Sequence, residues 1–292
     1  MTYSEIWHRI ATSYDDGEAR AIARILIEEL FGLSYADIVC GATEQLSADD
    51  TLRLDTAVRR IEQGEPLQHV LGYADFCGNR FCVNSSVLIP RPETEWLVDE
   101  GAKLMSTTAT SSPKRILDIG TGSGCIAISL KLRLGDAYVE AWDISEEALR
   151  TAQDNADALK AEVVFRKRDA LRADNTAAPW DLIVSNPPYI CDSERSAMDD
   201  NVLLHEPHTA LFVPDDDPLR FYRAIARYAL LTLNIGGSLL FECNTRYAEA
   251  TGAMLRDMGF EEVTVSDDCF GLPRGVRVRK NSPSQPSPSG RA

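Results

Sequence analysis

The stretch that decides the fold reads Trp180-Asp-Leu-Ile-Val-Ser-Asn-Pro-Pro-Tyr-Ile190. Its apolar run, Leu182 to Val184, predicts a strand buried in a parallel sheet. The strand must end before Pro187 and Pro188, because proline lacks the backbone N–H that strand pairing requires. Open α/β sheets place their functional groups at the carboxyl ends of strands, so Asn186 is a candidate site residue. A simple strand-ending turn is the alternative, since Asn-Pro often begins a turn.

Length and composition predict a globular chain of two domains. The chain has 292 residues, of which 44% are hydrophobic and 26% charged, values that are ordinary for a folded protein. Its formal net charge of -15 argues against broad electrostatic binding of nucleic acid, which depends on Lys and Arg contacts to phosphates. An acidic chain suits a basic partner, although solubility alone is an equally good explanation of the charge.

The cysteines and the apolar segments indicate the compartment. The seven cysteines are scattered and form no C-x-x-C pair, which is typical of a reducing environment and predicts neither disulfides nor a zinc site. The amino terminus lacks a basic segment followed by an apolar core, so we expect no signal peptide. No apolar run approaches the length that crosses a membrane. We therefore expect a cytoplasmic protein without a membrane partner.

The periodicity of the sequence divides the chain into four parts. Residues 1–75 carry amphipathic helical patterns and predict a small helical-bundle domain, which we expect to recognise or dock the substrate; a purely structural appendage is the alternative. Residues 76–94 form a linker, with a β-hairpin expected to turn through Asn84-Ser85-Ser86. In residues 95–280 strand and helix patterns alternate, which is typical of a mostly parallel sheet with helices on both faces. Residues 281–292 are rich in Ser and Pro and are expected to be disordered. The expected strands lie near 115–119, 137–142, 163–167, 181–185, 238–243, 261–266 and 275–280.

A glycine loop follows the first expected strand of the sheet. The segment reads Arg115-Ile-Leu-Asp-Ile-Gly-Thr-Gly-Ser-Gly124 and runs into an apolar helix. Glycines at 120, 122 and 124 let the backbone pass close to a ligand, and the following helix adds unpaired N–H groups. A dinucleotide site has the pattern G-x-G-x-x-G, whereas here the third glycine comes one residue early. The loop therefore favours a nucleoside ligand without a pyrophosphate.

Acidic residues end the next two expected strands. Asp143 ends the strand after the glycine loop, at the position where a carboxylate accepts hydrogen bonds from ribose hydroxyls in nucleoside-binding α/β folds. Asp169 ends the third strand and is placed to accept from an adenine amino group. For each aspartate taken alone, a helix cap or an exposed loop is the better interpretation. Glycines and two acids at three consecutive strand ends together favour a nucleoside site.

The fourth strand delivers Asn186-Pro187-Pro188-Tyr189 to the same edge. The side-chain carbonyl of Asn186 and the main-chain carbonyl of Pro187 are two acceptors that can hold both hydrogens of an NH2 group. Tyr189 can pack on a planar amide or base. An amide nitrogen is a poor nucleophile, so holding it in line with an activated methyl group lowers the barrier through positioning and desolvation.

Together these motifs resemble the class I S-adenosylmethionine-dependent methyltransferases, and more closely the HemK/PrmC family. The family's members methylate the side-chain amide nitrogen (N5) of the glutamine in the Gly-Gly-Gln motif of class 1 peptide-chain release factors. The resemblance implies a Rossmann-like domain with a seven-stranded, mostly parallel sheet, joined by a β-hairpin to the helical domain. The matching segments are Glu65–Gly72, Val87–Glu95, Leu117–Ile126, Ser185–Ile190, Glu206–Leu211 and Asp268–Arg274.

The resemblance also implies a set of site residues and ligands. The cofactor is S-adenosyl-L-methionine, which leaves as S-adenosyl-L-homocysteine, and the implied cofactor-binding residues are Gly120, Thr121, Gly122, Ser123, Gly124, Asp143, Asp169, Ala170 and Asn186. The implied substrate-binding residues are Asn186, Pro187, Pro188 and Tyr189, of which Asn186, Pro187 and Tyr189 are the catalytic set. We expect a monomer that takes a release factor as its protein substrate, without direct nucleic-acid binding and without a metal.

The sequence departs from the family at a few positions, which puts local packing in doubt more than activity. His69 and His205 stand where Tyr is common, and Cys243-Asn244 stands where Ile-Gly is typical. His205 and His208 have the spacing H-x-x-H, but no third ligand clusters with them, so we interpret them as solvated loop histidines. Cys125 and Cys191 are interpreted as small packing residues.

Two other functions compete with this interpretation. Asn-Pro-Pro-Tyr is shared with adenine-N6 methyltransferases of DNA or RNA, which would require a basic cleft and base flipping. The net charge of -15 and the absence of a basic run argue against that function. A non-catalytic cofactor-binding partner of the ribosome machinery is the third possibility, and the intact site residues disfavour it.

Overall fold

The structure, a computed structural model, describes residues 1–107, 113–173, 179–268 and 270–280. The segment 281–292, predicted to be disordered, lies outside the described residues. Within the described residues, no helix is both long enough and apolar enough to cross a membrane.

The first part of the chain is helical, as its periodicity predicts. The helices are α1 Tyr3–Ile10, α2 Asp16–Phe31, α3 Tyr35–Val39, α4 Ala48–Glu62 and α5 Leu67–Leu71. The hydroxyl of Thr2 accepts from the N–H of Glu5 and caps α1, and Ser47 caps α4 in the same way, which satisfies N–H groups that have no partner inside the helix. The apolar faces of α1, α2 and α4 meet in a core of their own around Ile6, Leu26 and Val58. The domain limits at 75 and 94 stay predictions.

The hairpin lies earlier in the chain than the sequence analysis predicts. Strands β1 Tyr73–Phe76 and β2 Asn79–Cys82 pair in antiparallel register, and the turn is made by Cys77-Gly78. The prediction that the chain turns through Asn84-Ser85-Ser86 was wrong. Cys77 and Gly78 have φ of +48° and +75°, and a two-residue hairpin turn with positive φ at both positions matches the twist of the paired strands.

The second part alternates helices and strands around one sheet. Its helices are α6 Glu95–Thr107, α7 Cys125–Leu134, α8 Glu146–Leu159, α9 Asp200–His205, α10 His208–Leu211, α11 Arg220–Thr232 and α12 Ala248–Asp257. Its strands are β3 Arg115–Ile119, β4 Tyr138–Asp143, β5 Val163–Lys167, β6 Trp180–Ser185, β7 Ile190–Cys191, β8 Phe212–Val213, β9 Leu233–Glu242, β10 Thr264–Asp267 and β11 Pro273–Arg279. The strand β9 starts earlier than predicted, because Gly236-Gly237 lies inside it at an irregularity in its pairing with β6.

The described residues form a seven-stranded sheet in the order β10-β11-β9-β6-β3-β4-β5. Only β11 runs antiparallel to its neighbours, so the predicted mostly parallel sheet is confirmed. The strand β3 has β4 on one side and β6 on the other. After β5 the chain crosses over β3 to begin the other half of the sheet with β6. This reversal of strand order opens a crevice at the carboxyl edge of β3, where open α/β sheets bind ligands.

Both faces of the sheet are buried. Along β6, Leu182 and Val184 pack into the cluster formed with α6 and α7, whereas Ile183 packs into the cluster formed with α11 and α12. Alternate side chains of a strand point to opposite faces, so a strand covered on both sides must be apolar throughout. The apolar run 182–184 is therefore explained by its central position in the sheet.

Candidate active site

A cavity of about 360 Å³ lies at the carboxyl edge of β3, β4 and β6. It contains most of the residues that the sequence analysis singled out, which are Gly120, Thr121, Gly122, Ser123, Asp143, Asp169, Ala170, Asn186, Pro187 and Pro188. Gly124 and Tyr189 do not line it. Because parallel strands end at the same edge of the sheet, motifs that follow one another at intervals of 19, 26 and 17 residues (124 to 143, 143 to 169, 169 to 186) meet around one space.

The three glycines of the loop have different surroundings. All three have positive φ, between +55° and +82°, which only glycine adopts without strain. A Cβ on Gly122 would meet no protein atom within 4 Å, and one on Gly120 would reach only the carbonyl oxygen of Asn186 at 3.9 Å. A Cβ on Gly124 would instead lie 3.1 Å from the Cβ of Ala152 on α8. Gly120 and Gly122 thus leave room for a ligand, whereas Gly124 permits close packing between helices.

A buried carboxyl group supports the loop from below. The hydroxyl of Thr121 donates to Asp118 Oδ2 at 2.6 Å, and Asp118 is fully buried in β3. Burial raises the pKa of Asp118 to about 7. The contact fixes the first turn of the loop against the strand from which it leaves, and sequence reasoning assigned no role to Asp118.

Asp143 lies in the cavity and is held by backbone N–H groups. Its Oδ2 accepts from the N–H of Gly122 and its Oδ1 from the N–H of Ser145, both at 2.9 Å. Burial raises the pKa of Asp143. Each carboxylate oxygen retains a further lone pair, so the group can still accept from two hydroxyls of a ligand while it ties the glycine loop to the end of β4.

Asp169 caps a short helix and also lines the cavity. Its Oδ1 accepts from the N–H of Leu171 at 2.9 Å and caps the short helix Ala170–Arg172. Its carboxylate also lies 3.7 Å from the guanidinium of Arg172, and both Asp169 and Ala170 line the cavity. The residue is therefore a helix cap at the rim of the site.

Asn186 presents an acceptor that no protein group satisfies. Its Nδ2 donates to the hydroxyl of Thr94 at 3.3 Å, whereas its Oδ1 is buried without a hydrogen-bond partner among the described residues. An unpaired buried carbonyl oxygen costs about 1–3 kcal/mol and calls for an explanation in a native structure. Since Asn186 lines the cavity, a ligand donor is the natural partner for this oxygen.

Tyr189 turns away from the cavity toward the end of β9. Its hydroxyl donates to Glu242 Oε1 at 3.3 Å, and its ring packs against the cluster beneath α11. Burial and the nearby Glu242 carboxylate raise the pKa of Tyr189 well above its usual value. Its expected contact with the substrate stays a prediction, as do the other residue roles.

The histidines are not all exposed. His208 is exposed, as predicted, but the interpretation of His205 as a solvated loop residue was wrong. His205 ends α9, and its Nε2 is buried without a partner among the described residues. The helix α9 places this ring 3.9 Å from the position of a Cβ on Gly64, so His205 is a packing residue against the helical part of the chain. The described residues hold no cluster of three or more metal-ligating side chains.

Two family models match separate parts of the chain. Residues 95–211 match the methyltransferase small domain, and residues 8–72 match the PrmC N-terminal domain. Two solved structures share the fold: a methyltransferase from Pyrococcus furiosus, with a TM-score of 0.51 and 14% identity over 81% of this chain and 100% of that one, and the catalytic domain of hMettl16, with a TM-score of 0.54 and 18% identity over 83% of this chain and 85% of that one. The fold is thus that of a class I methyltransferase.

Curated relatives match almost the whole chain. The release factor glutamine methyltransferase of Bacteroides thetaiotaomicron is 45% identical over 89% of this chain and 92% of its own length. The protein of the same name from Flavobacterium psychrophilum is 38% identical over 92% of this chain and 94% of its own. The chain belongs to the release factor glutamine methyltransferase family, and the resemblance seen in its motifs is confirmed.

Sequence reasoning missed the polar residues that support the site. Thr94 lies in the matching segment Val87–Glu95 but received no role. Asn155 of α8 bonds both the main chain of Cys82 and the carbonyl of Ser123, and so ties the hairpin to the glycine loop. Glu242 is an acidic residue at the end of an apolar strand. The same pattern identified Asp143, so it could also have identified Glu242.

Proposed function

We propose that this chain transfers the methyl group of S-adenosyl-L-methionine to the side-chain amide nitrogen (N5) of the glutamine in the Gly-Gly-Gln motif of class 1 peptide-chain release factors. The shared name of relatives that cover about nine-tenths of the chain supports this reaction. The observation that carries it is the buried, unpaired Oδ1 of Asn186 in the wall of the cavity.

The residues around the cavity fit the cofactor. The open space above Gly120 and Gly122 accommodates its methionine part, and the free lone pairs of Asp143 suit its ribose hydroxyls. Asp169 and Ala170, which line the cavity after β5, are assigned to the adenine. When bound, the cofactor supplies a methyl group activated by a positively charged sulfur, so the protein's task is to position the acceptor and exclude water.

Two acceptors side by side suit an amide NH2 group. Asn186 Oδ1 accepts one hydrogen, and the carbonyl oxygen of Pro187, which receives no hydrogen bond from the described residues, accepts the other. Pro187 and Pro188 have no backbone N–H that could compete for these acceptors. When both hydrogens of the NH2 group are bound, the nitrogen lone pair stays free and can be directed at the methyl group. Transfer to a weak nucleophile requires this geometry.

The substrate is a protein, and the helical part of the chain suits its recognition. Residues 8–72 match a domain model particular to this family and contribute no residue to the cavity, so a docking role for residues 1–75 is the simplest assignment. The net charge of -15 favours a basic protein over nucleic acid as partner. A monomer working in the cytoplasm, with the methyltransferase domain at residues 95–280, completes the proposal.

The decisive experiment incubates the protein with cofactor and purified release factor and locates the methyl group by peptide mass spectrometry. We expect one added methyl on the glutamine of Gly-Gly-Gln. Asn186→Ala should lower kcat at least about a hundredfold while the Kd for the cofactor stays nearly unchanged. The matched control Asn234→Ala removes an amide that bonds Asp181 away from the site and should leave kcat intact.

Two results would be incompatible with methylation of the release factor by this site. Wild-type turnover by Asn186→Ala, or methyl incorporation into DNA or RNA with none into the release factor, would overturn the proposal.

A further inference from the structure

Three side chains from distant parts of the sequence form a hydrogen-bonded chain that ends at the site. Asn186 Nδ2 lies 3.3 Å from Thr94 Oγ1, and Thr94 Oγ1 lies 2.6 Å from Glu242 Oε2. Thr94 and Glu242 are both 3% exposed. These contacts join the segment before α6, the end of β9 and the loop after β6, which are far apart in the sequence.

The direction of these hydrogen bonds is determined by their chemistry. Above its pKa of about 7 Glu242 is ionised; an ionised carboxylate accepts only, and a hydroxyl has a single hydrogen to give. Because Thr94 donates that hydrogen to Glu242, it can only accept from Asn186. The NH2 end of the Asn186 amide must therefore face Thr94, which leaves Oδ1 on the cavity side.

Without these hydrogen bonds, the two orientations of the Asn186 amide would have similar energies. The two ends of an amide have almost the same shape, so a rotation of 180° is sterically neutral and is decided by hydrogen-bond partners alone. In the rotated form an NH2 group would face the NH2 group of the substrate, donor against donor. The orientation of a single side chain thus determines whether the site accepts an amide.

Glu242 is itself held in place from two sides. Tyr189 donates to its Oε1 at 3.3 Å, and Tyr222 donates to its main-chain carbonyl at 3.2 Å. Tyr189 belongs to the same Asn-Pro-Pro-Tyr segment as Asn186, so that segment contacts Glu242 directly at one end and through Thr94 at the other. Arg274 and Glu93 are the charged groups that act on this carboxyl.

We propose that Thr94 and Glu242 are positioning residues, which fix the rotation of the Asn186 amide so that its oxygen faces the substrate nitrogen. This inference rests on the proposed function, since it assigns a polarity to the glutamine subsite of that reaction. Thr94 lines the cavity and Glu242 does not, so Glu242 acts on the substrate through two intervening side chains.

The test replaces the hydroxyl of Thr94 at constant shape. Thr94→Val removes both hydrogen bonds and should lower kcat on release factor about tenfold or more, with the cofactor Kd unchanged. Thr94→Ser keeps the hydroxyl and should restore most of the rate. Thr232→Val is the matched control, because Thr232 is buried and its hydroxyl donates to the carbonyl of Tyr228 within α11, away from the cavity; its kcat should equal that of the wild type.

A second readout separates orientation from general loosening of the site. Binding of the release factor in the presence of S-adenosyl-L-homocysteine is compared with binding of a release factor whose motif glutamine is replaced by glutamate. The wild type should prefer the glutamine form, and Thr94→Val should lose most of that preference, since a rotated Asn186 offers its NH2 to the carboxylate. A variant that is merely loosened would weaken both forms equally.

Glu242→Met tests the other end of the chain and covers the case in which Thr94→Val does not fold. Removing the carboxyl leaves the hydroxyls of Thr94 and Tyr189 without that acceptor at a cost of about 1–3 kcal/mol, so this variant should melt at a lower temperature, remain folded at the assay temperature and still lose kcat. The double variant should lose no more than the stronger single one, because both interrupt one chain of contacts.

The outcomes distinguish the two proposals. Absence of methylation by the wild type defeats the proposed function itself. Methylation by the wild type with equal rates for Thr94→Val, or equal losses for Thr94→Val and Thr94→Ser at unchanged melting temperature, overturns the positioning role alone.

Discussion

The carboxylate of Glu206 binds Arg91 across 115 residues of sequence, with 2.5 Å between Oε1 and Nη2. Its other oxygen accepts from the N–H of Ile89 at 3.1 Å, and the side chain is only 1% exposed. The two contacts hold the segment that leads to Thr94 against the cavity. Glu206 thus connects two segments that the resemblance to the family had identified separately.

Removal of Glu206 should destabilise the fold. Glu206→Ala leaves the guanidinium of Arg91 and the N–H of Ile89 without partners, and loss of one member of a buried pair typically costs about 3–5 kcal/mol. We expect a decrease of about 3 kcal/mol in the free energy of unfolding, measured in urea. Asp217→Ala, which breaks a half-exposed pair with Arg223, is the control and should cost less than about 1 kcal/mol. Equal losses for the two variants would contradict this account.

Asp143 should control affinity for the cofactor. Asp143→Asn keeps the size of the side chain but removes the charge and one acceptor, so bonds to ribose hydroxyls and to the N–H groups of Gly122 and Ser145 cannot all form. We expect the Kd for S-adenosyl-L-homocysteine to rise about tenfold or more in calorimetry. Asp154→Asn, on the exposed face of α8, should leave the Kd unchanged, and an unchanged Kd for Asp143→Asn would remove Asp143 from the cofactor site.

The glycine loop should respond differently at two positions. Gly124→Ala places a Cβ within 3.1 Å of Ala152 and 2.9 Å of Ile128 at φ of +82°, so we expect a loss of about 2 kcal/mol in stability. Gly122→Ala meets no protein atom within 4 Å and should cost about 1 kcal/mol from its backbone alone. Its larger effect should be on cofactor binding. Thermal melting and calorimetry on both variants check this, and the opposite ranking would refute the assignment.

Glu242 should make stability depend on pH. Burial and the neighbouring Glu93 raise its pKa to about 7, although Thr94, Arg274 and Tyr189 oppose the rise. The ordinary value is 4.5, so between these values the folded state binds more protons than the unfolded state. The contribution of this carboxyl to the free energy of unfolding therefore falls as the pH rises from about 4.5 to about 7, and is constant above.

Glu242→Gln isolates this effect, because its side chain does not titrate. From about pH 5 to about pH 8, the variant should gain up to about 3 kcal/mol in the free energy of unfolding relative to the wild type. Urea unfolding at both pH values measures the difference. Glu249→Gln, at an exposed glutamate of α12, is the control, and a constant difference between wild type and Glu242→Gln would show that the carboxyl does not titrate in this range.

The sequence predicted most of the residues that line the cavity but not the polar residues that hold them in place. The apolar run 182–184, the glycine loop and the acids Asp143 and Asp169 all fall at strand ends, and the parallel sheet brings them together as predicted. The hairpin turn was misplaced, because two positive-φ residues at Cys77-Gly78 outweighed the Asn-Ser-Ser signal. Gly124 was interpreted as a ligand contact, yet the position of α8 decides its surroundings.

The sequence by itself determined the succession of strands and helices along the chain, the edge of the sheet where the site lies and the family. Periodicity, caps and strand-ending prolines act through atoms only a few residues apart, so they are readable along the chain. Only the tertiary structure decided that Thr94, Asn186 and Glu242 form one hydrogen-bonded chain. Their contact depends on the order of strands within the sheet and on the burial of Thr94 and Glu242, and neither is encoded within a short stretch of sequence.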